Sequence, residues 1–170
     1  REICAYFVSS EDHNGAILGN HLYYYHHYKI ASFKKHFDVS AKVVRSTKEM
    51  FDHLNHLKAT YPDRPIKVVD ILAHGAPDHL AINHHSSNED YQRHHVLDDE
   101  FKACAQDAVI IVDACSTGMG SNSIAEAIAE KNPGKRVFAP GRSHFFSKPV
   151  FEKKGNSTII AHMVHGLAIF

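Results

Sequence analysis

The stretch Val109-Ile110-Ile111-Val112-Asp113-Ala114-Cys115-Ser116-Thr117-Gly118 decides the reading of this chain. Four β-branched apolar residues in a row describe a strand buried on both faces, as in the middle of a parallel sheet. The strand ends in a thiol, and Gly118 permits a turn into the helix expected over Ser121–Lys131, which Asn132-Pro133-Gly134 closes. Upstream, Val68-Val69-Asp70-Ile71-Leu72-Ala73-His74-Gly75 is a second strand run, near-continuously apolar apart from Asp70, that also ends in a reactive side chain.

Outward from these two runs the pattern alternates between β-rich and helical segments. Ile3–Ser9 reads as a strand, and the proline-free Ala16–Phe37 as a long helix with Ile17, Leu22, Tyr25 and Ile30 at helical spacing. Val39–Arg45 is a second strand, and Ser46 or Thr47 caps a helix to about Ala59, with Glu49 near its positive end. Ile66–Ala73 is the third strand. Ala76–Gln92 reads as loop or hairpin, Leu97–Ala105 as a short helix and Arg136–Ala139 as another strand, followed by a loop with Gly141 and Pro149. Phe151 to Phe170 suits a hairpin partner or a last helix. The order predicts an α/β fold, a three-layer α/β/α sandwich with a mostly parallel central sheet and right-handed crossovers, in one domain over residues 1–170.

In a parallel sheet the carboxyl ends of all strands share one edge, and α/β sites form there. Neighbouring strands would set His74 against Cys115. A thiolate is the nucleophile, and an adjacent imidazole lowers the thiol pKa and later protonates a leaving amine. Gly75 lets a substrate carbonyl approach the backbone, so the amides of Gly75 and Cys115 are expected to stabilise an oxyanion.

At these residues the sequence resembles the caspase-like clan of cysteine peptidases, in which a strand ending in His-Gly precedes a strand ending in an acidic or polar residue, Ala and Cys. The histidine precedes the cysteine by about 50 residues in caspases and by 41 here. Asp113-Ala114-Cys115-Ser116-Thr117-Gly118 is closer to the legumain form, Glu-Ala-Cys-Glu-Ser-Gly, than to the caspase form. The resemblance implies the clan's fold over Ile3 to about Ala139 and a His74/Cys115 catalytic dyad with a thioester intermediate. It implies that Asp113, two before the nucleophile, helps line the pocket for the residue preceding the scissile bond, with Glu11 and Asp12 in the loop after the first strand. Three carboxylates there would favour Arg or Lys. It also implies that the segment holding Phe146 and Ser147 borders the substrate.

Each motif is short, and a second His-Gly at His165-Gly166 has no cysteine strand after it. A cysteine after a buried strand is commonly an inert core thiol, so the pairing of the two motifs carries the reading. A phosphatase loop would need arginine at position 121, where serine stands, and the Gly-Lys-Ser/Thr of a P-loop is missing. An isopeptidase or acyl-transfer enzyme would use the same dyad. Outside enzymes, a non-catalytic interaction module or a His-rich metal-binding module would fit the composition.

Composition narrows the setting. Lys+Arg and Asp+Glu are equal at 19 each, which gives no support to a nucleic-acid partner. No apolar run is long enough to span a membrane. Three cysteines cannot all pair, so reduced thiols in a cytosol-like compartment are expected, either native or reached as a secreted effector. The 16 histidines include no H-E-x-x-H, so they read as mostly surface residues; no metal site and no cofactor are expected. The expected partner is a protein or peptide substrate. A start at Arg1 suggests a domain excised from a longer protein, with possible regulatory flanking regions.

Overall fold

The apolar runs at Ile3, Ile66 and Val109 become the middle of one sheet. The computed structural model describes residues 1–11, 20–82, 91–142 and 146–166. Strands β1 (Ile3–Ser9), β2 (Asp38–Val44), β3 (Ile66–Leu72), β7 (Val109–Asp113) and β8 (Arg136–Phe138) form a five-stranded, all-parallel sheet in the order β2-β1-β3-β7-β8. Every residue of β1 and β7 is buried, whereas edge strand β2 is largely exposed or half-buried. Burial on both faces is what calls for unbroken apolar runs.

Helix α1 (Asn20–Lys34) covers one face, and α2 (Thr47–Thr60) and α3 (Ile124–Lys131) cover the other, giving the α/β/α sandwich. Ser46 caps α2 by accepting from the Glu49 amide (3.1 Å), and Ser123 caps α3 by accepting from Glu126 (3.2 Å). Glu49 and Glu126 reach back to the amides of Arg45 and Asn122, the reciprocal half of a capping box shifted by one residue. Helix α3 begins at Ile124 rather than at Ser121, because Asn122 adopts φ 69° and Ser123 supplies the cap.

Between β3 and β7 the chain builds a small antiparallel sheet, β4 (His74–Ala76), β5 (His79–Ala81) and β6 (Tyr91–Gln92), with a 3-10 turn at Arg93–His95. The helix expected over Leu97–Ala105 is a series of turns instead. Asp99 takes φ 53°, and the segment gives its amides to other elements: Asp99 to Lys131 O (2.9 Å), Phe101 to Asn132 Oδ1 (3.0 Å) and Ala105 to Ile66 O (3.0 Å). Complete burial of Phe101 against Phe51 outweighs local helix propensity.

The C-terminal segment is a hairpin, β9 (Phe146–Lys154) with β10 (Ser157–Gly166), closed by Gly155-Asn156 with Gly155 at φ 62°. Pro149, expected in a loop, lies within β9; a strand paired on one side tolerates the missing donor. Phe151 meets Phe33 of α1 edge-on, with centroids 5.9 Å apart, and joins Ile160 and Met163 in completing the α1 layer.

Candidate active site

Register brings the two motifs together. Strands β3 and β7 are adjacent and parallel, and their last pair is Leu72 with Asp113. The Ala73 amide continues the ladder to Asp113 O (3.3 Å), and His74 and Cys115 each stand two residues past that pair. Both are half-buried at the carboxyl edge of the sheet.

After Ala73 the chain enters β4, whose Gly75 lies against the cysteine turn. A Cβ at Gly75 would stand 2.7 Å from Ala114 Cβ, 2.8 Å from Thr117 Cγ2 and 3.1 Å from Cys115 O. No side chain fits that space without displacing the turn. Expected from its chemistry as an oxyanion donor, Gly75 also has a packing role as the point where the two motifs touch.

The cysteine turn is held firmly. Ser116 adopts φ 61°, an uncommon conformation for a residue with a Cβ and one that persists where the surroundings fix it. Thr117, wholly buried, donates its hydroxyl to Ala114 O (2.8 Å). The amides of Ser116 and Gly118 donate to Arg142 O (3.2 Å) and Pro140 O (2.9 Å), tying the turn to the segment after β8. Gly118 is needed there, since a Cβ would lie 2.8 Å from Ala139 O.

The other thiols differ in kind. Cys4 and Cys104 are buried; burial holds the Cys4 thiol well above its ordinary range and pushes Cys104 to about 12. Of the three cysteines, Cys115 alone is half-exposed.

Asp113 does not line an open pocket wall. Its side chain is 1% exposed and paired with Lys29 of α1, whose ammonium also lies 2.5 Å from Asp70 Oδ2 and donates to Ser147 Oγ at 3.1 Å. Lys29 is wholly buried, 5.8 Å from the centroid of the Tyr6 ring. The sequence reading missed Lys29, although signals existed. It stands four residues before the buried Phe33, on the inward stripe of the helix, and two acids in buried strands require a cation. Thus Asp113 and Ser147 do converge, through Lys29.

Glu11 follows β1, its amide donating to Ser9 Oγ (3.0 Å), while the Ser9 hydroxyl donates to Ala81 O (2.8 Å) and so ties β1 to β5. Asp12 and the side chain of Phe146 lie outside the described residues. Among the described residues, no group of three or more His, Cys, Asp or Glu side chains could hold a metal ion, and no helix is long and apolar enough to cross a membrane.

No curated protein and no solved structure matches the chain. A family profile does, over residues 39–160: the chain belongs to the DUF8616 family, described as a domain of unknown function. The matched span contains His74, Gly75 and Cys115, while β1 and α1 precede it.

Proposed function

We propose that this member of the DUF8616 family is a cysteine endopeptidase working through a His74/Cys115 dyad. The observation that carries the reading is the parallel register of β3 and β7, which ends both motifs at one level of one sheet edge, with Gly75 packed on the cysteine turn. Resemblance of both motifs to the caspase-like clan supports the same reaction.

The chemistry follows from the groups at that edge. His74 takes the Cys115 proton, and the thiolate sulfur attacks the substrate carbonyl to give a tetrahedral oxyanion. Backbone N–H groups of Gly75 and Cys115 are the donors proposed for that oxygen. Collapse breaks the C–N bond, His74 returns the proton to the departing amine, and a thioester remains on Cys115. Water, deprotonated by His74, then attacks the thioester, and the thiol is restored as the acid product leaves.

Carboxylates at the site would favour Arg or Lys in a substrate, but the Asp113 carboxylate is already paired with Lys29. Hydrolysis of a mixture of fluorogenic peptides tests the reaction. Wild type is expected to cleave, with Cys115→Ala inactive and His74→Ala slower by at least about 100-fold, the usual range for losing a general acid–base. Cleavage by Cys115→Ala equal to wild type would overturn the assignment.

A further inference from the structure

Resting on the peptidase reading, we infer that Thr117 is a positioning residue: its buried hydroxyl holds the Ala114 carbonyl and so aims the Cys115 amide, a proposed oxyanion donor. The Ala114–Cys115 peptide bond is trans, since the described residues contain no cis peptide. In a planar trans unit the C=O and N–H point in opposite directions, so whatever fixes the oxygen also fixes the N–H. Thr117 Oγ1 donates to Ala114 O at 2.8 Å, and the Thr117 amide donates to the same oxygen at 3.5 Å. The hydroxyl has one proton, and its other acceptor, Val112 O, is farther away at 3.5 Å. Thr117 is wholly buried, so the carbonyl points into the protein and the Cys115 N–H points away from Thr117.

The next four amides of the turn are committed elsewhere. Those of Ser116, Thr117, Gly118 and Met119 donate to Arg142 O (3.2 Å), Ala114 O (3.5 Å), Pro140 O (2.9 Å) and Ser116 O (2.9 Å). Stabilising an oxyanion from the cysteine turn therefore falls to the amide that Thr117 orients. A hydrogen bond to Ala114 O also polarises the peptide, which makes its N–H a stronger donor. A donor already aimed needs no reorganisation when charge develops on the substrate oxygen. The methyl group of Thr117 serves the second proposed donor. A Cβ on Gly75 would stand 2.8 Å from Thr117 Cγ2, so the Gly75 backbone rests against that methyl. One side chain thus meets both peptides, through its hydroxyl and its methyl.

Two reactions of Cys115 separate aiming the amide from presenting the thiol. Alkylation by iodoacetamide forms an S–C bond and releases iodide, and no carbonyl oxygen gains charge. Peptide hydrolysis passes through the oxyanion. In Thr117→Val and Thr117→Ala, kcat for the best-cleaved fluorogenic peptide should fall by at least about 10-fold, part of the roughly 100- to 1,000-fold cost of losing an oxyanion donor. KM should stay within about 2-fold of wild type, because the lost interaction belongs to the transition state. The rate of iodoacetamide alkylation and its pH profile should not move. Thr117→Ser keeps the hydroxyl and should recover most of the lost kcat.

A wild-type kcat in folded Thr117→Val and Thr117→Ala would overturn this inference alone. So would alkylation that falls in step with kcat, the mark of a turn that no longer presents its thiol, or a Thr117→Ser variant as slow as Thr117→Val. Should Thr117→Val fail to fold, the smaller Thr117→Ala carries the same comparison; failure of both would make the residue structural and overturn the inference too. Cleavage absent from wild type, or surviving in Cys115→Ala, would instead defeat the peptidase reading and the inference with it.

Discussion

The two faces of the central sheet are made by the same strands yet differ sharply. Toward α2 and α3, β1, β3 and β7 present Phe7, Val69, Ile71, Ile110 and Val112, which pack on Met50, Leu54, Ile124 and Ile128. Toward α1, the alternate residues include Tyr6, Asp70 and Asp113, gathered around Lys29. Period-two alternation sorts the side chains, so one apolar-looking strand can carry an acid without disturbing the dry face. A dry face stabilises in proportion to the area it buries. Buried ions seldom add stability over well-packed apolar groups, so on that face the apolar residues around the cluster, among them Phe33, Phe37, Val68 and Ile111, supply the burial that stabilises the fold.

The largest effect expected is on the charged face. Lys29→Met leaves Asp70 and Asp113 buried without their cation and should lower unfolding stability by about 3–5 kcal/mol in urea melts. Neutralising both acids in the same background, Asp70→Asn and Asp113→Asn, should restore at least half of the loss. If the single variant is as stable as wild type, the cluster is not a buried charge network.

On the dry face, Leu54→Ala should cost about 2–4 kcal/mol through lost burial and a residual cavity. Cys115 reactivity per folded molecule should be unchanged. A comparable drop in reactivity would mean that the two faces are coupled.

Gly75→Ala tests the junction between the faces and the site. A Cβ 2.7 Å from Ala114 Cβ forces the cysteine turn to shift, with about 1–3 kcal/mol of overpacking. Peptide hydrolysis should fall far more than stability does. Activity near wild type would show that this contact does not set the site.

The smallest effect is a pH dependence at Glu100, which accepts from the Tyr91 hydroxyl at 2.5 Å and from the Leu97 amide at 3.4 Å. Burial holds its carboxyl above the usual range. The folded state therefore binds that proton more tightly than the unfolded chain. Its contribution is fully present below the ordinary carboxyl pKa and is lost as pH rises through the raised folded value. Glu100→Gln keeps an acceptor and removes the titration. The stability of wild type relative to this variant should thus fall between acid and neutral pH in paired melts. A flat difference would place Glu100 in a less desolvated setting.

Much of this was legible in the sequence for physical reasons. Strands β1, β3 and β7 announce themselves because burial on both faces demands near-continuous apolar runs, and α2 because Ser46 and Glu49 form a recognisable start. The edge placement of His74 and Cys115 follows from where those runs end. Local propensity predicts a helix over Leu97–Ala105, but amides of this segment bond to Lys131 O, Asn132 Oδ1 and Ile66 O, partners that propensity does not register. Lys29 was passed over because one charge on an apolar stripe looks like a surface residue until its acids, 41 and 84 positions away, are brought beside it. The Gly75 contact is likewise tertiary.

The reading stands or falls on the thiol at the end of β7. Treatment of the folded chain with a peptidyl acyloxymethyl ketone, followed by peptide mapping, should find a single adduct, at Cys115, forming at least about 100-fold more slowly in His74→Ala. Equal modification of the buried Cys4 and Cys104, or a rate indifferent to His74, would contradict it.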